Sequence, residues 1–378
     1  MSQKEYIGHN SINKLKKILA KHKPNSIFLV TGKGSYVKSG AKTVIDKVLK
    51  DYNSTHFNDF ETNPKLFDIK KGIKLFKKNK CDFVIGVGGG TAMDIAKSVN
   101  ILASNSRKPV DFIKNNKKIK NKGLILAAIP TTSGSGSEAT RFAVVYIDKT
   151  KYSLEHDFIL PDYAIVDPQF TTSLPRDITA PTGMDALSQA IESYWSVHST
   201  KVSKKYASKA IKLIIKNLSI AVNKPSKRTR EAMAKAANLA GKAINITRTT
   251  ACHAVSYPIT SYFGVPHGHA VALTLVSMLK YNSQVTESSL LDKRGTAYAR
   301  EAINEIVTLL GASDVEDASN KLENLMIEIG LNVRLSELGI KRQDISLIIK
   351  RGFNPDRVNN NPRRLSGNAL RKILNEIV

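Results

Sequence analysis

The apolar run Asp82 to Val87 stops at three successive glycines, Gly88-Gly89-Gly90, and continues as Thr91-Ala92-Met93-Asp94-Ile95-Ala96-Lys97 with helical spacing. A strand that turns through glycine into a helix belongs to sheets whose ligands sit at the strand ends. With every Cβ removed at the turn, backbone N–H groups can approach a phosphate closely. The helix that follows offers the positive end of its dipole. A merely tight turn would need only one glycine. The spacing is not G-x-G-x-x-G, so a phosphate cradle is inferred and the Rossmann fingerprint is not.

Two other apolar runs end in similar loops. Ser26 to Val30 leads into Thr31-Gly32-Lys33-Gly34, and Gly123 to Ile129 leads into Pro130-Thr131-Thr132-Ser133-Gly134-Ser135-Gly136-Ser137-Glu138-Ala139-Thr140. The second loop is dense in hydroxyls able to hydrogen-bond a nucleotide or substrate. Helical spacing is found at Ser11 to His22, Val44 to Val48 and Lys65 to Asn79. Phe142 to Ile147 with Lys151 to Leu154 reads as a hairpin, and Tyr163 to Val166 as a last strand. After about Pro175 strand-like runs vanish. Helical patterns take over at Met184 to Ser196, Ser203 to Leu218, Thr229 to Ile244, His269 to Lys280, Ala297 to Leu310, Asp317 to Ile329, Arg342 to Lys350 and Asn368 to Ile377. Asn354 to Arg364 reads as a loop. The expectation is an α/β dinucleotide-binding domain over residues 1–175 and an all-helical domain over residues 176–378.

The helical half carries its own chemistry. Asp185 stands near the head of an apolar helical run, and His253 and His267 follow, fourteen residues apart. A carboxylate and two imidazoles from separate helices suit a divalent cation. Gln189 is four residues after Asp185, so the two share a helix face. His269 offers a proton relay, or is simply a histidine at a helix start.

Lys+Arg is 58 against Asp+Glu 32, a formal charge of +26. The basic residues are spread along the chain (Lys14 to Lys23, Lys70 to Lys80, Lys114 to Lys122, Lys201 to Lys216), which suits solvated faces and a field that attracts anions. With no zinc-finger spacing and no RNP-type aromatic segment, no specific nucleic-acid partner is expected. Cys81 and Cys252 form no CxxC pair, which suits a reducing compartment. No run approaches the ~18 apolar residues of a membrane span, and Met1 to Glu5 lacks a signal-peptide core. A cytoplasmic protein without membrane contact is expected.

Five segments in order, Gly88 to Lys97, Thr131 to Thr140, Leu160 to Pro168, Thr182 to Ser193 and His253 to Gly268, resemble the iron-containing (group III) alcohol dehydrogenase family, whose fold is shared with dehydroquinate synthase. The resemblance covers essentially the whole chain. It implies a metal in the cleft between the two domains and a homodimer. It also implies that Gly88, Gly89, Gly90 and Thr91 hold the pyrophosphate, with Asp94 near the phosphates or the nicotinamide side. Thr131, Thr132, Ser135 and Ser137 would line the cofactor. The implied ligands of the ion, Fe2+ or Zn2+, are Asp185, Gln189, His253 and His267. The chain departs from the family at Gln189, where an amide stands for an imidazole, and at Tyr257, where many members carry His. Tyr257 would orient substrate or donate a proton, or else merely pack. A third departure is Gly32, where members that prefer NAD often carry Asp. With Lys33 next to it, a 2′-phosphate is not repelled, and NADPH is expected to serve at least as well as NADH.

Asp185 to Ser196 together with Thr249 to Tyr257 resemble, within the family, the phosphonoacetaldehyde reductase branch. A small anionic aldehyde substrate is then expected, with succinic and malonic semialdehydes as alternatives and a non-catalytic nucleotide-binding descendant as an alternative of another class. Arg141 and Arg248 are the expected grips on the anion, since a guanidinium pairs bidentately with such groups. If no metal binds, a protonated histidine (His253 or His267) or Tyr257 would have to stabilise the alkoxide.

Overall fold

The computed structural model describes residues 3–114 and 118–378. Residues 1–2, and 115–117 within the basic run Lys114 to Lys122, lie outside the described residues. The chain divides into two compact units, the second beginning at Pro175.

The first unit contains β1 (Lys4–Ile7), α1 (Lys14–His22), β2 (Ile27–Thr31), α2 (Ser35–Lys38), α3 (Ala41–Leu49), β3 (Ser54–Phe57) and α4 (Leu66–Lys78). After these come β4 (Phe83–Gly88), α5 (Gly90–Ala103), α6 (Pro109–Ile113), β5 (Leu126–Pro130), β6 (Phe142–Ile147), β7 (Thr150–Glu155) and β8 (Tyr163–Val166). Six strands form one parallel sheet in the order β1-β8-β5-β4-β2-β3. The inner strands β2, β4, β5 and β8 are buried at every residue. A parallel sheet covered on both faces demands such continuous apolar runs. Alternate residues serve the two faces. Phe28, Val30 and Val84 pack with α4 and α5 through Phe76, Ile95 and Val99, while Ile27, Leu29 and Ile85 pack with α1 and α3 through Leu15 and Ile45.

β6 and β7 pair antiparallel, from Phe142↔Glu155 to Ile147↔Thr150. β5 starts at Leu126, later than the expected Gly123. Asn100 explains the delay: its side chain donates to Leu124 O at 2.9 Å and accepts from Leu124 N at 2.8 Å, taking the hydrogen bonds a neighbouring strand would have used.

The second unit contains α7 (Arg176–Trp195), α8 (Lys201–Asn223), α9 (Lys227–Thr247), α10 (Ala251–Phe263) and α11 (His267–Ser283). It continues with α12 (Thr296–Leu309), α13 (Val315–Glu328), α14 (Ile345–Gly352), α15 (Pro355–Val358) and α16 (Gly367–Glu376). α7 runs through Pro181, so it begins earlier than the apolar periodicity indicates. The proline removes the bond to Asp177 O alone, and Asp177 lies in the exposed first turn, where water can satisfy its carbonyl. α8 and α9 each open with a reciprocal cap, Thr200 with Ser203 and Ser226 with Thr229. The expected loop at 354–364 is corrected by α15. Asn354 caps it by accepting from Asp356 N at 3.0 Å, and Pro355 opens it. α7 and α11 approach closely at Gly268, where a Cβ would collide with Pro181 O. No helix among the described residues is long and apolar enough to cross a membrane.

Candidate active site

In the first unit, β4 delivers its glycines against the loop after β5. Gly88 has φ +150°, and a Cβ there would meet Ala92 Cβ at 2.8 Å, so a side chain is excluded on both counts. Gly88 O accepts from Thr131 N at 2.9 Å, which ties the two loops. A Cβ on Gly89 would lie 3.3 Å from Thr132 Cγ2, and one on Gly90 3.1 Å from Ser135 Oγ. The loops thus face each other across space kept clear by missing side chains. α5 opens there without a side-chain cap, and the buried Thr131 hydroxyl makes no hydrogen bond. Open N–H groups at a helix start and a spare hydroxyl fit a phosphate-bearing cofactor. Thr91 Oγ1 accepts from Asn63 N at 3.4 Å. At the end of β2, Gly32 N donates to Val87 O at 3.3 Å, and Lys33 is exposed, 4.0 Å from Asp59.

Asp94 and Ser137, both expected beside the cofactor, hydrogen-bond each other. Ser137 Oγ donates to Asp94 Oδ1 at 2.8 Å, and Val144 N donates to Asp94 Oδ2 at 3.1 Å. Lys97, missed by the sequence reading, is buried among them. Its Nζ donates to Ser137 Oγ at 2.9 Å, Thr140 Oγ1 at 3.0 Å and Phe142 O at 2.8 Å. Burial pushes the Lys97 ammonium down to about 8. Burial also pushes the Asp94 carboxyl up, against the opposing charge of Lys97. This network clamps α5 to the β6–β7 hairpin.

In the second unit, the donor atoms of Asp185 on α7, His253 on α10 and His267 on α11 all lie within 4.8 Å of one another. The buried His253 Nε2 makes no hydrogen bond and lies 3.3 Å from Asp185 Oδ1. The His253 and His267 rings meet edge to face at 5.5 Å. Lone pairs gathered this tightly fit a cation, which removes the repulsion between them. Gln189, one turn after Asp185 on α7, is buried too.

Glu192, a further turn along α7, was also missed. It is fully buried, and its carboxylate accepts from His253 Nδ1. Its other oxygen accepts from Thr250 Oγ1 and Cys252 N at 2.8 Å and from His253 N at 3.3 Å. A carboxylate on Nδ1 fixes the tautomer that leaves Nε2 for a metal. Burial alone would lower the His253 pKa, but the Glu192 charge, helped by Asp185, raises it to about 9. The signal was readable, since one acidic residue in an apolar helical run needs a buried partner.

Tyr257 follows His253 by one turn, its ring 6.3 Å from that of His267. His269 is buried, its pKa lowered by that burial, and its Nε2 bonds Asn332 O at 2.7 Å. Arg141 pairs with Asp157 at 2.8 Å and Glu155 at 3.2 Å, so its guanidinium is engaged within the hairpin region. Arg248 caps α9 with φ 60° and ψ 178°, a region essentially reserved for glycine and costing ~1–3 kcal/mol.

A glycine cradle for phosphates and a carboxylate–imidazole cluster for a cation define a protein that takes a nucleotide and a metal. The chain belongs to the iron-containing alcohol dehydrogenase family: residues 2–168 match the family model described as "Iron-containing alcohol dehydrogenase", and residues 179–378 match "Fe-containing alcohol dehydrogenase family, C-terminal". It is 31% identical to the NADPH-dependent butanol dehydrogenase of Clostridium saccharobutylicum, across 97% of this chain and 94% of that protein. It is also 31% identical to the phosphonoacetaldehyde reductase of Streptomyces viridochromogenes, across 79% and 76%. Among solved structures, the sulfoacetaldehyde reductase of Bifidobacterium kashiwanohense in complex with NAD+ superposes with a TM-score of 0.88 at 31% identity, covering 99% of this chain and 96% of that one. The protein is an NAD(P)-dependent alcohol dehydrogenase with a nucleotide cofactor and a divalent metal.

Proposed function

We propose that the protein reduces a small anionic aldehyde to its alcohol in the cytoplasm, with phosphonoacetaldehyde to 2-hydroxyethylphosphonate as the favoured pair. The observation that carries the reductive chemistry is the convergence of Asp185, His253 and His267. The acidic headgroup is supported by two relatives whose names specify two-carbon aldehydes bearing a phosphonate or a sulfonate. Gly32 and Lys33 support NADPH as well as NADH, because neither residue repels a 2′-phosphate.

The bound cation would act as a Lewis acid on the aldehyde oxygen, and the reduced nicotinamide would supply the hydride. Asp185, His253 and His267 would hold that cation, with the Gln189 amide oxygen as a weaker neutral donor. Glu192 fixes the His253 ring, and Tyr257, its ring 6.3 Å from that of His267, is the candidate to supply the proton the alkoxide needs. Arg141 and Arg248 are the candidates for the headgroup, and Arg141 pairs in this structure with Asp157 and Glu155.

A steady-state assay following NADPH absorbance tests this reading, comparing phosphonoacetaldehyde with succinic and malonic semialdehydes, with and without chelator. A kcat/KM well above the semialdehydes, lost with chelator, is the expected result. Preference for a semialdehyde would move the enzyme to carboxylate substrates. Tight NADPH binding with no turnover would favour a non-catalytic nucleotide-binding protein.

A further inference from the structure

The two imidazoles of the cation cluster have different partners. His253 turns its Nδ1 to the Glu192 carboxylate. The Nδ1 of His267 meets a neutral group instead, Ser256 Oγ at 3.3 Å. Ser256 stands on α10, three residues after His253, and its Oγ also lies 2.7 Å from His253 O.

Proton counting settles the direction of these two bonds. A serine hydroxyl has one proton to give and two lone pairs to receive. A carbonyl oxygen can only accept, so the short contact with His253 O takes that proton. Toward His267 the same oxygen then has lone pairs alone, and Nδ1 must be the donor. In a neutral imidazole with its proton on Nδ1, the lone pair falls on Nε2, the nitrogen left for a metal.

The hydroxyl is not there for the helix. Ser256 is fully buried, as are Ala254 and Val255 beside it. Alanine is the better helix former and buries no polar atom. The main chain at His267 is already confined, because Gly268 packs directly on Pro181. What that packing leaves undetermined is the rotation and tautomer of the ring, and these are what a hydrogen bond at Nδ1 fixes.

We infer that Ser256 is a positioning residue for the cation site: its hydroxyl sets the tautomer and rotation of the His267 ring, and joins that ring to the main chain of His253. This rests on the reading that Asp185, His253 and His267 hold the cation.

The test uses the full-length parent, Ser256→Ala and Ser256→Thr, each treated with chelator and then titrated with Co2+ against a chromophoric chelator. The visible spectrum of the bound Co2+ and the thermal midpoint of the metal-free protein are recorded alongside. Co2+ affinity of Ser256→Ala should fall about 10-fold, the lower end of what the outer partner of a ligand histidine contributes. Its Co2+ spectrum should shift, because the ring is no longer held, while its metal-free midpoint stays level or rises. Ser256→Thr, whose hydroxyl can bond the same carbonyl three residues back, should recover most of the affinity and the parental spectrum.

Parental affinity and spectrum in Ser256→Ala would overturn the inference and leave the cation reading standing. A lower metal-free midpoint in Ser256→Ala with an unshifted Co2+ spectrum would make Ser256 a packing residue and overturn it too. A parent protein that takes up no Co2+ would overturn both.

Discussion

At Glu192 four donors converge on one buried carboxylate: Thr250 Oγ1, the N–H groups of Cys252 and His253, and His253 Nδ1. Replacing it by glutamine keeps the shape, removes the charge and turns one oxygen into a donor facing other donors. Metal affinity of Glu192→Gln should fall ~10- to 100-fold, measured by competition with a chromophoric chelator, with the far-UV spectrum unchanged. An unchanged affinity would mean that packing alone orients the His253 ring. The same carboxylate sets a pH dependence in the chelator-treated protein. The folded pKa of His253 is raised from 6.5 to about 9, so the folded state holds that proton more tightly than the unfolded chain does. Its contribution to stability is present in full below about 6.5 and is lost as pH rises through about 9. Thermal midpoints of the metal-free protein should therefore decline over that window, and the decline should be absent in Glu192→Gln. Residue spacing was enough to nominate Asp185, His253 and His267, which the structure brings together. It could not show that Asp94 and Ser137 turn toward Lys97, because α5 is buried nearly all round and periodicity gives no inward side for such a helix.

Among the elements, α7 and α11 depend on one absent methyl group. Gly268 follows the ligand His267 directly, and a Cβ would meet the Pro181 main chain and Asp185 Cβ. Backbone cannot step aside as a flexible side chain does. Gly268→Ala should cost about 1–3 kcal/mol or more by overpacking, seen as a lower denaturant midpoint, and should loosen the cation cluster in the same chelator competition. In the first unit, Lys97→Met would leave Asp94 buried without its compensating charge. A loss of roughly 3–5 kcal/mol is expected, and a double-mutant cycle with Asp94→Asn should show the two residues strongly coupled. The inner strands were legible because burial on both faces leaves an unbroken apolar signature. β1 and β3 were not. Each has four residues, and Lys4-Glu5-Tyr6-Ile7 and Ser54-Thr55-His56-Phe57 are mostly polar and only partly buried, as sheet edges tend to be. α7 begins before its expected start at Met184, because the apolar periodicity sets in only after the exposed first turn Arg176 to Ile178.

For the whole molecule, the sequence carries a formal charge of +26. A field of that sign raises the encounter rate of small anions and is screened over ~10 Å at 0.1 M salt. The kcat/KM for an anionic aldehyde should decline as ionic strength rises, while that for propanal stays nearly flat. Equal responses would assign no steering role to the charge. The division into a parallel-sheet unit followed by helices was legible from the change in apolar texture, since strands and helices bury their faces with different periods.

One feature of the sheet bears on how the protein is made. Among the described residues β1 pairs with β8 alone, Lys4↔Tyr163 through Ile7↔Val166. On the ribosome, a segment near residue 5 has no partner until one near residue 165 has emerged. At synthesis rates of about 5–20 residues per second that wait is roughly 8–30 s. β2, β3 and β4 can assemble in the meantime, so β1, translated before them, docks after them.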